Sequence, residues 1–215
     1  YKNNDYLKIV GLSIHIGSQI KNMKPFEIAF NKIKKQITSL RELGFEITVL
    51  DLGGGIGIRY LENDRIINIK EYCLLVEKLF SNMKLEIIIE PGRSLVGSSG
   101  ILLSSVIRKK SGEKKDFIII DAGMNNLIRP AMYNAKHEIL PVKRKNLKKK
   151  KYDFVGPICE SADIFSKQNI SQALKKDDLI AICSVGAYGA CMSSNYNLRG
   201  DIKEIFIKKN EIIDE

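Results

Sequence analysis

The stretch Val155-Gly-Pro-Ile-Cys-Glu-Ser-Ala-Asp163 sets a thiol, a hydroxyl and two carboxylates beside a Gly-Pro bend. A thiol next to a carboxylate just after a turn offers a proton-transfer group and a fixed charge for a cationic ligand. Taken alone, the stretch also suits a structural loop with a buried cysteine. A second cluster is Asp51-Leu-Gly-Gly-Gly-Ile-Gly57. A dinucleotide fingerprint needs glycines at i, i+2 and i+5; Gly53 and Gly55 fit, but Ile58 breaks the third position. Gly53, Gly54 and Gly55 together expose consecutive backbone N–H groups that can cradle a single phosphate. His15-Ile-Gly-Ser-Gln19 supplies His15 and Ser18 as neighbours of that loop in a parallel arrangement, and this favours phosphate over a bare tight turn.

These groups need elements to hold them. Lys8 to Ile16 alternates and then runs apolar, like a buried strand delivering His15 and Ser18 at its C-terminal end. Pro25 opens a helix with Phe26, Ile28, Phe30, Ile33, Ile37 and Leu40 at helical spacing, closed by Gly44. Phe45 to Leu50 reads as a strand running into the glycines, Ile69 to Ser81 as a second helix, and Leu85 to Ile89 as a third strand ending in Glu90-Pro-Gly-Arg93. Strand, polar tip and helix in repetition predict part of a (β/α) barrel or an open parallel sheet, with the chemistry at the strand ends. Past about residue 95 the pattern changes to short strands at Ile101 to Ile107, Phe117 to Asp121, Leu179 to Ser184 and Lys203 to Ile207. The cluster Gly97-Ser-Ser-Gly100 marks the change. The expected architecture is α/β plus β: residues 1–96 as part of a (β/α)8 barrel and residues 97–215 as a mostly antiparallel β domain.

Composition narrows the class. The 215 residues are 44% apolar, enough for a sizeable core, and no apolar run approaches membrane-spanning length. Residues 1–6 have no signal-peptide layout and no initiator Met, so the chain is expected to lie within a longer or processed polypeptide. Four cysteines, at 73, 159, 183 and 191, lack metal-ligand spacing and disulfide density, which predicts reduced thiols in a cytoplasmic protein without a structural metal. Cys183 and Cys191 read as small buried hydrophobes. The net charge of +10 owes much to Lys143-Arg-Lys-Asn-Leu-Lys-Lys-Lys-Lys151, which has no interleaved aromatics. A solvated lysine-rich loop is expected there, not a nucleic-acid surface.

Seven segments then occur in one order: His15–Gln19, Leu52–Gly55, Glu90–Arg93, Asp121-Ala-Gly-Met-Asn125, Arg129-Pro-Ala-Met-Tyr133, Gly156–Asp163 and Ser193-Ser-Asn-Tyr-Asn197. In this the chain resembles the diaminopimelate decarboxylase family, of the fold-type III, alanine-racemase-like pyridoxal-phosphate enzymes. The resemblance implies pyridoxal 5'-phosphate as cofactor and decarboxylation of meso-diaminopimelate to L-lysine. It places His15 against the pyridine ring and Ser18 with Gly53, Gly54 and Gly55 at the phosphate. Within Glu90-Pro91-Gly92-Arg93 it pairs Glu90 with the ring nitrogen and gives Arg93 to phosphate or substrate. Arg129 and Tyr133 would hold the carboxylate at the substrate's remote end, and Glu160 the ammonium beside it. Cys159 would deliver a proton to the carbon left electron-rich as carbon dioxide departs, and Tyr196 would touch the cofactor. The family further implies a homodimer in which the Cys159–Glu160 loop completes the partner's site.

In that family the cofactor-bearing lysine lies on a strand ahead of the His-Ile-Gly-Ser segment, and no such segment precedes His15 here. The expectation is therefore a C-terminal portion with a missing N-terminal segment, inactive by itself. A sister decarboxylase acting on ornithine, arginine or carboxynorspermidine is the alternative within the fold, and a non-catalytic regulatory homologue the alternative outside catalysis. His137 has no assigned role beyond a structural hydrogen bond.

Overall fold

A computed structural model describes residues 4–213; the first residues of the amino-terminal reading and the end at Glu215 lie outside them. The chain forms two compact units, one of residues 1–59 and 63–95, the other of residues 60–62 and 96–215.

The first unit is built on three parallel strands in the order β1 (Gly11–Ser13), β2 (Val49–Asp51) and β3 (Glu86–Ile88). They are joined by α1 (Lys24–Glu42) and α2 (Ile69–Phe80). Helix α1 starts with Pro25 in its first turn, where a missing N–H costs nothing, and ends against Gly44 at φ 84°. Phe26, Phe30, Ile33 and Ile37 recur every three or four residues and form its buried stripe. Ile28, which the helical spacing had included in that stripe, is 59% exposed, because it sits on the opposite face of the helix. Asn68 caps α2 by accepting the Lys70 N–H at 2.9 Å. Tyr72 of α2 sits edge-on to Phe26 and Phe30 at ring separations of 5.2 and 5.7 Å, and burial pushes its phenol up to about 12. Each paired strand is only three residues long, shorter than the apolar runs suggested. The residues flanking them join through isolated bonds, such as Thr48 N–H to the Val10 carbonyl at 2.8 Å.

The second unit carries a six-stranded sheet in the order β6-β9-β4-β5-β7-β8. Its strands are β4 (Leu102–Ser111), β5 (Asp116–Ile120), β6 (Ile139–Pro141), β7 (Lys149–Val155), β8 (Ile164–Gln172) and β9 (Leu179–Ile182). All neighbours are antiparallel except β5 and β7, which run parallel because the chain leaves β5 through the short helix α4 (Arg129–Tyr133) and through β6 on the far side of the sheet. Strands β10 (Phe206–Lys208) and β11 (Glu211–Ile213) form a separate hairpin. The core of this unit gathers Val106, Ile118, Ile120, Tyr152, Phe154, Phe165, Ile180 and Ile182. The basic run is not loop throughout: Lys149, Lys150 and Lys151 pair with Gln172, Ser171 and Ile170 as the start of β7. Three consecutive lysines carry no alternation, so only the partner strand reveals them as strand. Their side chains remain exposed. Further along β7, buried Asp153 bonds the Lys115 ammonium and the Gln168 N–H, each at 2.8 Å. Burial acts to raise its carboxyl, but these partners outweigh it and hold the group below the usual carboxylate range.

Phe154 is fully buried between β5 and β8. Phe154→Ala is therefore expected to cost about 3–5 kcal/mol in urea unfolding of the intact protein. Lys149→Ala, on the exposed start of the same strand, should stay within about 0.5 kcal/mol of wild type. Equal midpoint shifts for the two variants would contradict this core.

Candidate active site

In the first unit the parallel strands end level with one another, with Ser13, Asp51 and Ile88 in register. The exits stay stitched together: Ile14 N–H donates to Asp51 O at 3.0 Å, Leu52 N–H to Ile88 O at 2.9 Å, and Glu90 N–H to Gly53 O at 2.8 Å. His15, Gly53–Gly55 and Glu90 consequently stand on one rim. Gly53 and Gly55 adopt φ of 63° and 91°, a region that disfavours side chains. A Cβ on Gly53 would collide with the Ile14 carbonyl, and one on Gly54 with the carbonyl of Glu90. The glycine run is thus demanded by the close approach of three strand exits.

Arg93, in the first turn of α3 (Gly92–Val96), is 9% exposed and donates from Nη2 to Ser18 Oγ at 2.9 Å. Pro91 is half-buried, whereas Gly92, Ser18, His15 and Glu90 are exposed. Glu90 has no ion-pair partner among the described residues. The Gly53 N–H is taken by Asp51 Oδ1 at 2.8 Å, which leaves a hydroxyl, a guanidinium and the Gly54 and Gly55 backbone to suit a phosphate ester, and the exposed Glu90 carboxylate suits a protonated ring nitrogen. The donor set of this rim therefore fits pyridoxal phosphate.

The second unit holds the other residues of interest. In the Cys159–Glu160 turn, both of those side chains are exposed. The turn is shaped by Asp163, 3% exposed, whose carboxylate accepts the Ile158 and Met124 N–H groups, each at 2.7 Å. Burial moves the Asp163 carboxyl upward, although these two amides and Arg199 act against the shift. A Cβ on Gly156 would run into that carboxylate, which explains the glycine. Of the two acids in the stretch, Asp163 is thus structural and Glu160 stays at the exposed surface. Tyr196 donates its hydroxyl to Glu160 Oε1 at 2.7 Å. That bond, helped by the nearby charge of Glu160, moves the phenol above its ordinary range.

Arg129 opens α4 and is 6% exposed. Its Nη1 donates to Tyr60 Oη at 2.9 Å and meets His137 Nε2 at 3.2 Å, while the guanidinium lies 5.1 Å from the Tyr60 ring centre. No carboxylate pairs with it among the described residues. Tyr133, one helical turn on, is 61% exposed. Among the described residues no hydrogen bond or ion pair joins Arg129 or Tyr133 to Glu160, Cys159 or Tyr196. Tyr60 and His137 escaped the sequence-based list of site residues, since no spacing links positions 60, 129 and 137. Cys183 is half-buried, but Cys191 is exposed, contrary to its reading as a buried hydrophobe; it lies in a 3-10 turn outside the sheet core.

Comparison with known proteins adds to this geometry. The family model described as pyridoxal-dependent decarboxylase, C-terminal sheet domain, matches residues 16–186. A diaminopimelate decarboxylase of Aquifex aeolicus is 43% identical over 206 residues, which is 96% of this chain and 49% of the relative. One from Zymomonas mobilis is 43% identical over 95% of this chain and 49% of its own length. The crystal structure of the Helicobacter pylori diaminopimelate decarboxylase complexed with L-lysine superposes with a TM-score of 0.92 at 39% identity, covering 99% of this chain and 52% of that one. The chain spans about half the length of the curated relatives it matches. A family match through most of the sequence, on a fold that superposes over nearly all of it, leads to one assignment: the chain belongs to the pyridoxal-dependent decarboxylases.

Proposed function

We propose that the protein containing this chain removes carbon dioxide from meso-2,6-diaminopimelate to form L-lysine, the last step of lysine biosynthesis, in a reducing cytoplasm suited to its free thiols. The observation that carries this substrate is Arg129: a guanidinium buried to 6% exposure whose hydrogen-bond partners are Tyr60 and His137, with no carboxylate paired to it among the described residues. A buried cation left without a counterion is costly, and an incoming carboxylate removes that cost. Ornithine, once its single carboxylate is at the reacting end, has none left for Arg129, which disfavours the sister-decarboxylase reading.

On the rim, Ser18, Arg93 and the backbone at Gly54 and Gly55 would hold the cofactor phosphate, with Gly53 shaping the turn, His15 would face the ring, and Glu90 would keep its nitrogen protonated. The chemistry the cofactor supplies when bound is an electron sink for the pair released with carbon dioxide. Arg129, with Tyr133, fixes the remote carboxylate, and Glu160 receives the ammonium next to it. Cys159 delivers a proton to the carbon that has lost its carboxylate. Among the described residues the exposed Cys159–Glu160 turn makes no bond to Arg129, and Met132, Tyr133 and Leu198 are 56, 61 and 92% exposed in the same unit. These features support a homodimer in which each turn completes the partner's site.

Arg129→Lys keeps the charge and loses the planar fork. Loss of one charged hydrogen bond, about 1.5–3 kcal/mol, should lower kcat/KM for diaminopimelate by about tenfold to over a hundredfold. Activity on L-ornithine should be poor in both proteins; a diaminopimelate value within about threefold of wild type, roughly 0.7 kcal/mol, would remove the substrate assignment. Mixing Cys159→Ala with Glu90→Ala protein under subunit exchange should recover activity neither has alone, because half the sites of a mixed dimer carry no defect; no recovery would mean that each site is built from one chain. Tyr196 should ionise above about 10 by ultraviolet titration. The Glu160 carboxylate accepts its proton in a hydrogen bond and repels the phenolate, so Glu160→Gln should bring the titration back down. An unchanged titration would show that Glu160 does not carry its negative charge against this phenol.

A further inference from the structure

The arrangement around Arg129 does more than bury it. Cys183 O lies 2.8 Å from His137 Nδ1, and a carbonyl can only accept, so Nδ1 carries the proton. The other ring nitrogen, Nε2, lies 3.2 Å from Arg129 Nη1, and a guanidinium can only donate, so Nε2 is bare. Both bonds are satisfied together only by the neutral Nδ1–H tautomer. Tyr60 Oη accepts the second Nη1 hydrogen at 2.9 Å, and the Tyr60 ring stands edge-on to His137 with centroids 4.9 Å apart. The short segment 60–62 belongs to the second unit, and Glu138 N–H donates to the Tyr60 carbonyl at 3.2 Å. Both Nη1 hydrogens are thus taken by uncharged acceptors, whereas Nε and Nη2 have no protein partner among the described residues. Those two nitrogens form the side-on edge that matches a carboxylate with two parallel hydrogen bonds.

We propose that His137 and Tyr60 are positioning residues for substrate selection: a neutral cradle that fixes Arg129 through Nη1 and keeps its Nε–Nη2 edge and full charge for the remote carboxylate of an amino-acid substrate. A carboxylate in either place would serve the guanidinium equally well as a fold element, but it would neutralise the charge and compete for the same edge. His137, 2% exposed and anchored at Nδ1 by the backbone of Cys183, holds the guanidinium at Nη1 without doing so. The inference rests on the substrate reading above and deepens it.

The test compares two inhibitors that differ by one carboxylate. L-Lysine keeps the remote carboxylate of diaminopimelate, and 1,5-diaminopentane lacks it. In the full-length, cofactor-loaded protein, the ratio of their inhibition constants reads the Arg129 edge, and KM and kcat for diaminopimelate are measured alongside. Wild type should favour L-lysine. His137→Leu should shrink that preference at least tenfold and raise KM more than it lowers kcat, with the diaminopentane constant unchanged. His137→Gln, which restores an acceptor, should stay within threefold of wild type; Tyr60→Phe, which keeps the ring, should fall between. If the Leu protein does not fold, Tyr60→Phe decides: a ratio equal to wild type overturns the proposal. It is likewise overturned if His137→Leu leaves the ratio unchanged, or if His137→Gln is as impaired as His137→Leu. A wild type that does not distinguish the two inhibitors would instead defeat the substrate reading itself, whatever the variants do.

Discussion

The parallel register of β1, β2 and β3 is the constraint on which the candidate cofactor rim depends. Gly11, Val49 and Glu86 start level, and Ser13, Asp51 and Ile88 end level, so three chain exits emerge at one height. Crowding at that height forces glycine: a Cβ at Gly11 would press on Val49, and Cβ atoms at Gly53 and Gly54 would collide with neighbouring carbonyls. Gly53 thus sits against Ile14 and His15, and Gly54 against Glu90, with His15 and Glu90 both exposed. Behind the strands, the aromatic packing of Phe26, Phe30, Tyr72 and Phe80 holds the two helices that connect them.

In the second unit the organising problem is charge taken out of water. Three buried charged groups solve it differently. Asp153 is matched by the Lys115 ammonium and serves the fold. Asp163 is solvated by backbone amides and shapes a turn, with burial still shifting it toward its neutral form. Arg129 is given hydrogen-bond acceptors but, among the described residues, no opposite charge. Of the three, that arrangement leaves electrostatic free energy for an anionic ligand to release.

Much of this was legible beforehand, for identifiable reasons. Helices α1 and α2 announced themselves by apolar residues every three or four positions between Pro25 and Gly44 and after Asn68. The ordered motifs carried the family assignment, and they did so because strand-end chemistry depends on residue type at a short local spacing. Strands β6, β7, β8 and β11 were not foreseen. Lys149–Lys151 looks like solvated loop until β8 supplies its hydrogen bonds, and in β7 Tyr152, Asp153 and Phe154 are all buried, so alternation is absent where it would have been sought. Cys191 misled because small size was taken for burial.

The sequence by itself determined which local units form and which chemical groups they carry, because periodicity, capping and turn glycines act over a few residues. Tertiary structure alone decided which of those groups meet. Asp163 and Glu160 stand three residues apart with similar chemistry, yet one is buried against the Ile158 and Met124 amides and the other is exposed and accepts the Tyr196 hydroxyl. Tyr60, Arg129, His137 and Cys183 are brought together from four separate places in the chain. Such contacts arise when distant segments bury apolar surface together and their polar groups must then find partners, a requirement that no local spacing encodes.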